Sequence, residues 1–311
     1  MDDYPRTVAQ FEARFATEEA CRAYLCRLRW PEGFRCRCGE ANAWRTARGL
    51  WLCPTCGAET SDTAGTVFQD TRKPLRLWFH AMWSITSQKT GASALGLQRV
   101  LGLGSYETAW AWLHKLRRAM VRPGRERLAG SVEVDETYLG GFVAGAPRGR
   151  STAKKALVVV AVEFGGPRLG RIRMRRLHDA SATSLQAFID EAIEPGSLLQ
   201  TDGWPGYHPV SAHGYRHQVT VLRGQKASPS ELLPRVHRVV TLLRRWLLGT
   251  HHGAVTPAHL DYYLDEFTFR FNRRTSRHRG QLFFRLAQQA VAVDPAPYTS
   301  LVKHVRRHHN R

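Results

Sequence analysis

Acidic side chains are scarce in this chain: 26 Asp and Glu stand against 46 Lys and Arg in 311 residues, a formal charge of +20. The deficit points to a polyanionic partner, phosphate backbone first, because each phosphate neutralised releases counterions. Ribosomal and membrane-surface proteins share such a balance, so charge alone leaves the function open. No run of 18 or more apolar residues occurs, which argues against a membrane-spanning helix. The opening stretch MDDYPRTVAQ lacks the basic start of a signal peptide, so the expected location is cytoplasmic. In that reducing setting six cysteines argue against a disulfide framework. No internal repeat is found.

Against this background the stretch SVEVDETYLGG gathers three carboxylates, Glu133, Asp135 and Glu136, in a segment that reads as a strand. Period-two alternation turns Val132, Val134 and Glu136 one way and Glu133, Asp135 and Thr137 the other. Two acids on one face of a core strand repel each other unless something positive joins them, a divalent cation for instance, or unless the face is exposed. A second acid of interest is Asp202 in LLQTDGWPGY, at the carboxyl end of a later strand. Asp before Gly is commonly a turn former. Together with Asp135 it offers the paired carboxylates that two-metal phosphoryl chemistry needs.

The order of elements supports an α+β reading. Helical spacing covers residues 8–29, and a small ribbon follows. Three helical pieces fill residues 73–122, and β-β-β-α-β-β-α order follows from residue 130. Cys36 and Cys38, then Cys53 and Cys56, form two close pairs that predict a Zn²⁺ site. Cys21 and Cys26, on the preceding helix, read as core residues. The segment from Thr90 to Met120 has a helix-turn-helix shape, with Ser105, Tyr106, Glu107 and Thr108 at the end that enters a major groove. In this reading Trp110, Leu113 and Leu116 pack inward while His114, Lys115, Arg117 and Arg118 face phosphates.

Several stretches, taken in one order over nearly the full length, resemble the bacterial insertion-sequence transposases with an N-terminal zinc ribbon and an ISXO-like transposase domain. They are RWPEGFRC, CPTCG, TAGTVFQDTRKPLRLWFHAMW, VEVDETYLGG, TDGWPGY, RRWLLGTHHGAV and YLDEFTFRFNRR. The resemblance implies an RNase H-like mixed sheet with flanking helices, behind the ribbon and the helix-turn-helix segment. It implies a DDE-type site using Mg²⁺ (or Mn²⁺), DNA hydrolysis at element ends, and attack of the freed 3′ hydroxyl on target DNA. Nucleoid association and an assembly of at least two chains on double-stranded DNA follow as expectations. The domains expected are a helix and zinc ribbon in 1–60 and a helical segment in 61–125. A catalytic domain in 126–290 and a basic tail in 291–311 complete the chain.

The third site residue of this class lies on the helix after the last core strand, with a basic residue seven positions on. His237 and Arg244 hold those places, His237 as ligand, through water, or as proton shuttle, and Arg244 as the phosphate or end-binding partner. Mg²⁺ prefers oxygen to imidazole, so Glu266 stands as a replacement and Glu231 as a remoter one. Glu133 and Glu136 are expected as supporting or surface groups, and His251-His252 as a turn or phosphate contact. Competing readings are a catalytically inactive DNA-binding derivative and a nuclease without strand transfer.

Overall fold

The computed structural model describes residues 4–122, 124–140, 155–220, 229–253 and 255–303. It divides into two units, Met1–Arg122 with Thr275–His304, and Pro123–Arg274 with Val305–Arg311.

The first unit holds α1 (Val8–Arg14), α2 (Glu18–Arg29), the ribbon strands β1 (Trp44–Arg45), β2 (Trp51–Leu52) and β3 (Glu59–Thr60), then α3 (Leu75–Ser87), α4 (Ala94–Leu101) and α5 (Tyr106–Ala119). Thr17 Oγ1 accepts from the Ala20 amide at 3.2 Å and caps the start of α2. The first residue of that helix reaches across to α3. Pro74 offers α3 no side-chain cap, and Glu18 accepts from the Leu75 and Arg76 amides at 3.0 and 3.2 Å instead. Asp62, buried, ties the ribbon to α2 by accepting from the Cys26 thiol (2.9 Å), the Trp51 indole (3.0 Å) and the Arg45 guanidinium (2.8 Å). Cys26 is thus a hydrogen-bond donor as well as a packing residue.

Two later helices belong to this unit: α10 (Arg279–Ala290), inside the span 126–290 expected for the catalytic domain, and α11 (Tyr298–Lys303), beyond it. Phe283 of α10 sits among Phe11, Phe15, Phe79 and Trp83, with ring centroids 5.4 to 5.9 Å away. That aromatic core is why Thr275–His304 departs from the boundaries drawn from sequence at 290. The expected basic tail begins inside this unit, and its last residues, 304–311, lie outside the described ones.

The second unit is built on a five-stranded sheet. Its strands are β4 (Ser131–Leu139), β5 (Ala156–Gly165), β6 (Arg168–Leu177), β7 (Leu198–Asp202) and β8 (Arg216–Thr220), in the order β6-β5-β4-β7-β8. β4 is antiparallel to β5 and parallel to β7, and β7 is parallel to β8. Helix α6 (Ala182–Ala192) covers one face, where Val132 and Val134 meet Leu185 and Ile189. After the short α7 (Pro229–Leu232), α8 (Pro234–His251) and α9 (Leu260–Phe271) cover the other. The outer edge of β6 is closed by the Asn272 side chain, which donates to Ile172 O and accepts from Ile172 N at 3.1 and 2.7 Å. The glycine- and arginine-rich connection from β4 to β5, read as basic and flexible, falls on residues 141–154, outside those described.

Candidate active site

β4 is central, so its alternation decides which acids meet which helix. Glu133, Asp135 and Thr137 face α8, and each finds a partner there. Glu133 is fully buried. One of its oxygens accepts from the Arg235 and Val236 amides at 2.8 and 2.9 Å, the other from the Arg235 guanidinium at 2.6 Å. Two residues along the strand, Asp135 Oδ2 lies 3.7 Å from His237 Nε2. Two further, Thr137 Oγ1 accepts from Arg244 at 2.8 Å.

The spacing explains the match. Four strand residues advance about 13 Å, and nine helical residues from Arg235 to Arg244 advance about the same. Strand and helix therefore stay in step once one end is fixed, and Glu133 fixes it. Leu233 offers α8 no side-chain cap and Pro234 occupies its first turn, so an acceptor from elsewhere must satisfy the first free amides. A carboxylate there also complements the helix dipole. Glu133 is therefore a buried helix anchor, which corrects its reading as a possible surface group. An uncapped Leu-Pro helix start is the signal in the sequence that an anchor was needed.

Asp202 ends β7. Parallel pairing of Ser131 with Leu198, Val132 with Leu199 and Glu133 with Gln200 ends two residues before Asp135 and Asp202, which lie near enough for the Asp202 charge to act on Asp135. Their strands lie about 4.8 Å apart. Burial pushes the Asp135 carboxyl up to about 7; the Glu136 amide opposes this at 2.8 Å, and the Asp202 and Glu133 charges add to it. Glu136, on the opposite strand face, is likewise pushed up to about 7 by burial and by Asp135. It is half-buried, and the Tyr207 hydroxyl faces it without meeting hydrogen-bond geometry. Burial lowers the His237 pKa, Glu133 opposing and Arg244 assisting.

These residues suit a divalent cation. On the face shared with Asp135, buried His237 Nε2 lacks a hydrogen-bond partner. Asp135 is desolvated and feels the Asp202 charge, and among the described residues the ion pairs of these two carboxylates include no lysine or arginine. The rival acids lie elsewhere. Glu266 is buried on α9, which packs over β6, two strands from β4. Glu231 is exposed on α7. His251 packs against Trp246 and Tyr263 at 4.8 and 4.7 Å, and His252 turns the chain at φ 50°.

In the first unit the sulfurs of Cys36, Cys38, Cys53 and Cys56 lie within 4.8 Å of one another, with the Cys36–Cys56 and Cys38–Cys53 pairs at 3.6 Å. A tetrahedral zinc with bonds near 2.3 Å sets its sulfurs about 3.8 Å apart, so the single-residue gap between Cys36 and Cys38 does not prevent closure. The Cys56 amide lowers the Cys53 thiol to about 7, burial opposing and the Thr55 amide assisting.

The expected phosphate-facing row on α5 requires correction. Arg117 is 1% exposed and His114 is fully buried. Lys115 and Arg118 are half-buried, and burial lowers the Lys115 pKa. A single-faced amphipathic pattern misses this because α3, α4, α10 and α11 all pack on α5. Its exposed part is the first turn, Tyr106 and Glu107, behind the Ser105 cap.

Residues 127–272 match the model of the ISXO2-like transposase domain, and residues 16–59 that of the transposase zinc-ribbon domain. The chain belongs to the insertion-sequence transposases built from these two domains. A protein of the transposable element ISH50 from Halobacterium salinarum (strain ATCC 700922 / JCM 11081 / NRC-1) is 25% identical over 276 residues, covering 82% of this chain and 91% of the relative. Among solved structures, the catalytic core domain of BIV integrase matches 49% of this chain and 89% of its own at 16% identity, with a TM-score of 0.33. The Mos1 strand transfer complex matches 78% and 82% at 12% identity, with a TM-score of 0.30. The transposase's mixed sheet, flanked by helices as the family resemblance implies, carries Asp135 midway along β4 and Asp202 at the carboxyl end of the parallel β7. No helix among the described residues is long and apolar enough to cross a membrane.

Proposed function

We propose that this transposase cuts and joins DNA at a DDH-type site formed by Asp135, Asp202 and His237. The observation that carries the reading is the juxtaposition of the two carboxylates on neighbouring parallel strands with a histidine nitrogen 3.7 Å from one of them, free of any hydrogen bond. Asp135 and Asp202 would hold Mg²⁺ or Mn²⁺, which supplies charge neutralisation and activation of the attacking oxygen. Carboxylates withheld from arginine stay available for that ion. Burial shifts His237 towards its neutral form, which would leave its Nε2 lone pair available as ligand or proton acceptor. Arg244, exposed and tethered to the end of β4 through Thr137, presents its remaining N–H groups to a DNA phosphate.

The four cysteines would hold one Zn²⁺ in the ribbon, and the excess positive charge serves double-stranded DNA, element ends and target alike. Two ends must be held together, so an assembly of at least two chains on DNA follows. Purified protein, pre-cut end DNA, a target plasmid and Mg²⁺ or Mn²⁺ should give joined product. Asp135→Asn and Asp202→Asn should each abolish joining while end binding persists. Wild type that binds ends but never joins with either metal would establish the inactive, binding-only derivative instead, and nicking without joining would establish a nuclease.

A further inference from the structure

The loop that leaves Asp202 carries a large aromatic ring at the surface. Trp204 is 48% exposed, although each ring atom left in water costs apolar burial. The ring is nevertheless held in place. The Trp204 amide donates to Asp202 Oδ1 at 3.0 Å, closing a turn on the site carboxylate itself. Its indole N–H donates to Ala180 O at 2.8 Å. Pro205 restricts its backbone to the extended region, where it stands at φ −67°, ψ 129°. Gly206 leaves room for this arrangement, since a Cβ there would lie 2.7 Å from the indole nitrogen and 2.8 Å from Ala180 O. The protein thus uses the polar edge of the indole and leaves a fixed aromatic face to solvent.

From this we infer that Trp204 is a stacking platform for an unpaired nucleobase next to the phosphate handled by Asp135 and Asp202. The inference rests on the proposed function and adds a residue that recognises the DNA strand end. The chemistry favours a base over an apolar partner. β4, β7 and β8 run parallel, so Tyr138, Trp204 and Val219, all exposed, share one edge of the sheet with the acidic pair, and Arg244 stands at the same end of β4. Isolated rings set among charged groups suit a flat ligand with polar edges and a phosphate attached, and stacking of that kind tolerates any sequence.

The test is binding in chelator, where no chemistry occurs. A duplex bearing a single-stranded overhang with 2-aminopurine at its first unpaired position is compared with the blunt duplex. Wild type and Trp204→Phe should quench the fluorophore and prefer the overhang. Trp204→Leu and Trp204→Ala should lose the quench and about tenfold of that preference, with blunt-duplex affinity unchanged. The leucine and phenylalanine variants keep apolar bulk, so their contrast reads stacking even if the alanine loop collapses. Wild type without overhang preference, or a leucine variant that quenches like wild type, would overturn the inference. Because metal is absent, failure of strand transfer leaves this readout standing, and joining by an unquenching wild type would remove the platform alone.

Discussion

Replacing Glu133 with alanine tests whether α8 is held in step with β4 by that carboxylate. Glu133 is fully buried and accepts three hydrogen bonds, two from helix amides at 2.8 and 2.9 Å and one from Arg235 at 2.6 Å. Truncation would leave two N-terminal amides and a guanidinium without their acceptor. Breaking a buried pair from one side costs about 3–5 kcal/mol. The Arg235 side chain is 26% exposed and can take water in the variant, which favours the lower end, about 3 kcal/mol. For a unit of this size each kcal/mol moves the midpoint by roughly 2–4 °C, so calorimetry should show a fall of about 6–12 °C in the transition of the second unit. Glutamine keeps an oxygen for the amides and should lose about half as much. The second readout is Mn²⁺ affinity: an α8 freed at its start carries His237 away from Asp135, so both variants should bind the ion more weakly. A midpoint within about 2 °C of wild type for Glu133→Ala, with Mn²⁺ affinity unchanged, would refute the anchoring argument.

Asp135→Asn should stabilise the metal-free protein at pH 8 and do little near pH 4. The raised carboxyl binds more protons in the folded than in the unfolded chain between about 4 and 7, so wild-type stability falls as pH rises through that window. Thermal midpoints in chelator that differ equally at both pH values would contradict this. Metal analysis of purified protein should return about one zinc per chain, and stripping it with a thiol reagent should unfold the ribbon as followed by tryptophan fluorescence. Protein that keeps its ribbon signal without zinc would remove that assignment. Arg244→Ala should weaken DNA binding and lower the log–log salt slope by about one, and Arg244→Lys should restore the slope. An unchanged slope in the alanine variant would place Arg244 away from phosphate.

Local pattern made part of this architecture legible. Alternation along β4 divides Val132 and Val134 from Glu133, Asp135 and Thr137, as a strand with one face on α6 and one on α8 requires. The seven-residue step from His237 to Arg244 marks one side of a helix. What periodicity does not carry is the register between strand and helix, because that depends on Glu133 meeting amides 102 and 103 residues away. The same limit explains α5, whose arginines look solvent-facing in a helical projection until α10 and α11 pack on it from the far end of the chain. It also explains the domain border. Phe283 reads as one more apolar position, and its place among Phe11, Phe15 and Phe79 appears only in three dimensions.

The arrangement also answers why a basic chain gathers acids on its central strand. With 46 lysines and arginines available, neutralising every buried carboxylate is easy, and Glu133, Glu163 and Asp62 are treated that way by Arg235, Arg171 and Arg45. Asp135 is treated differently: two residues beyond the arginine that neutralises Glu133, α8 presents His237, whose imidazole burial keeps towards its neutral form. The helix that anchors itself with one charge pair therefore leaves the next carboxylate and its neighbour Asp202 with their mutual repulsion. Burial first, with that repulsion added, raises Asp135 and weakens the fold. Such a cost kept beside so many cations fits the proposed function, in which the site would receive its positive charge from solution and the ion that relieves the repulsion would be the one that phosphoryl transfer requires.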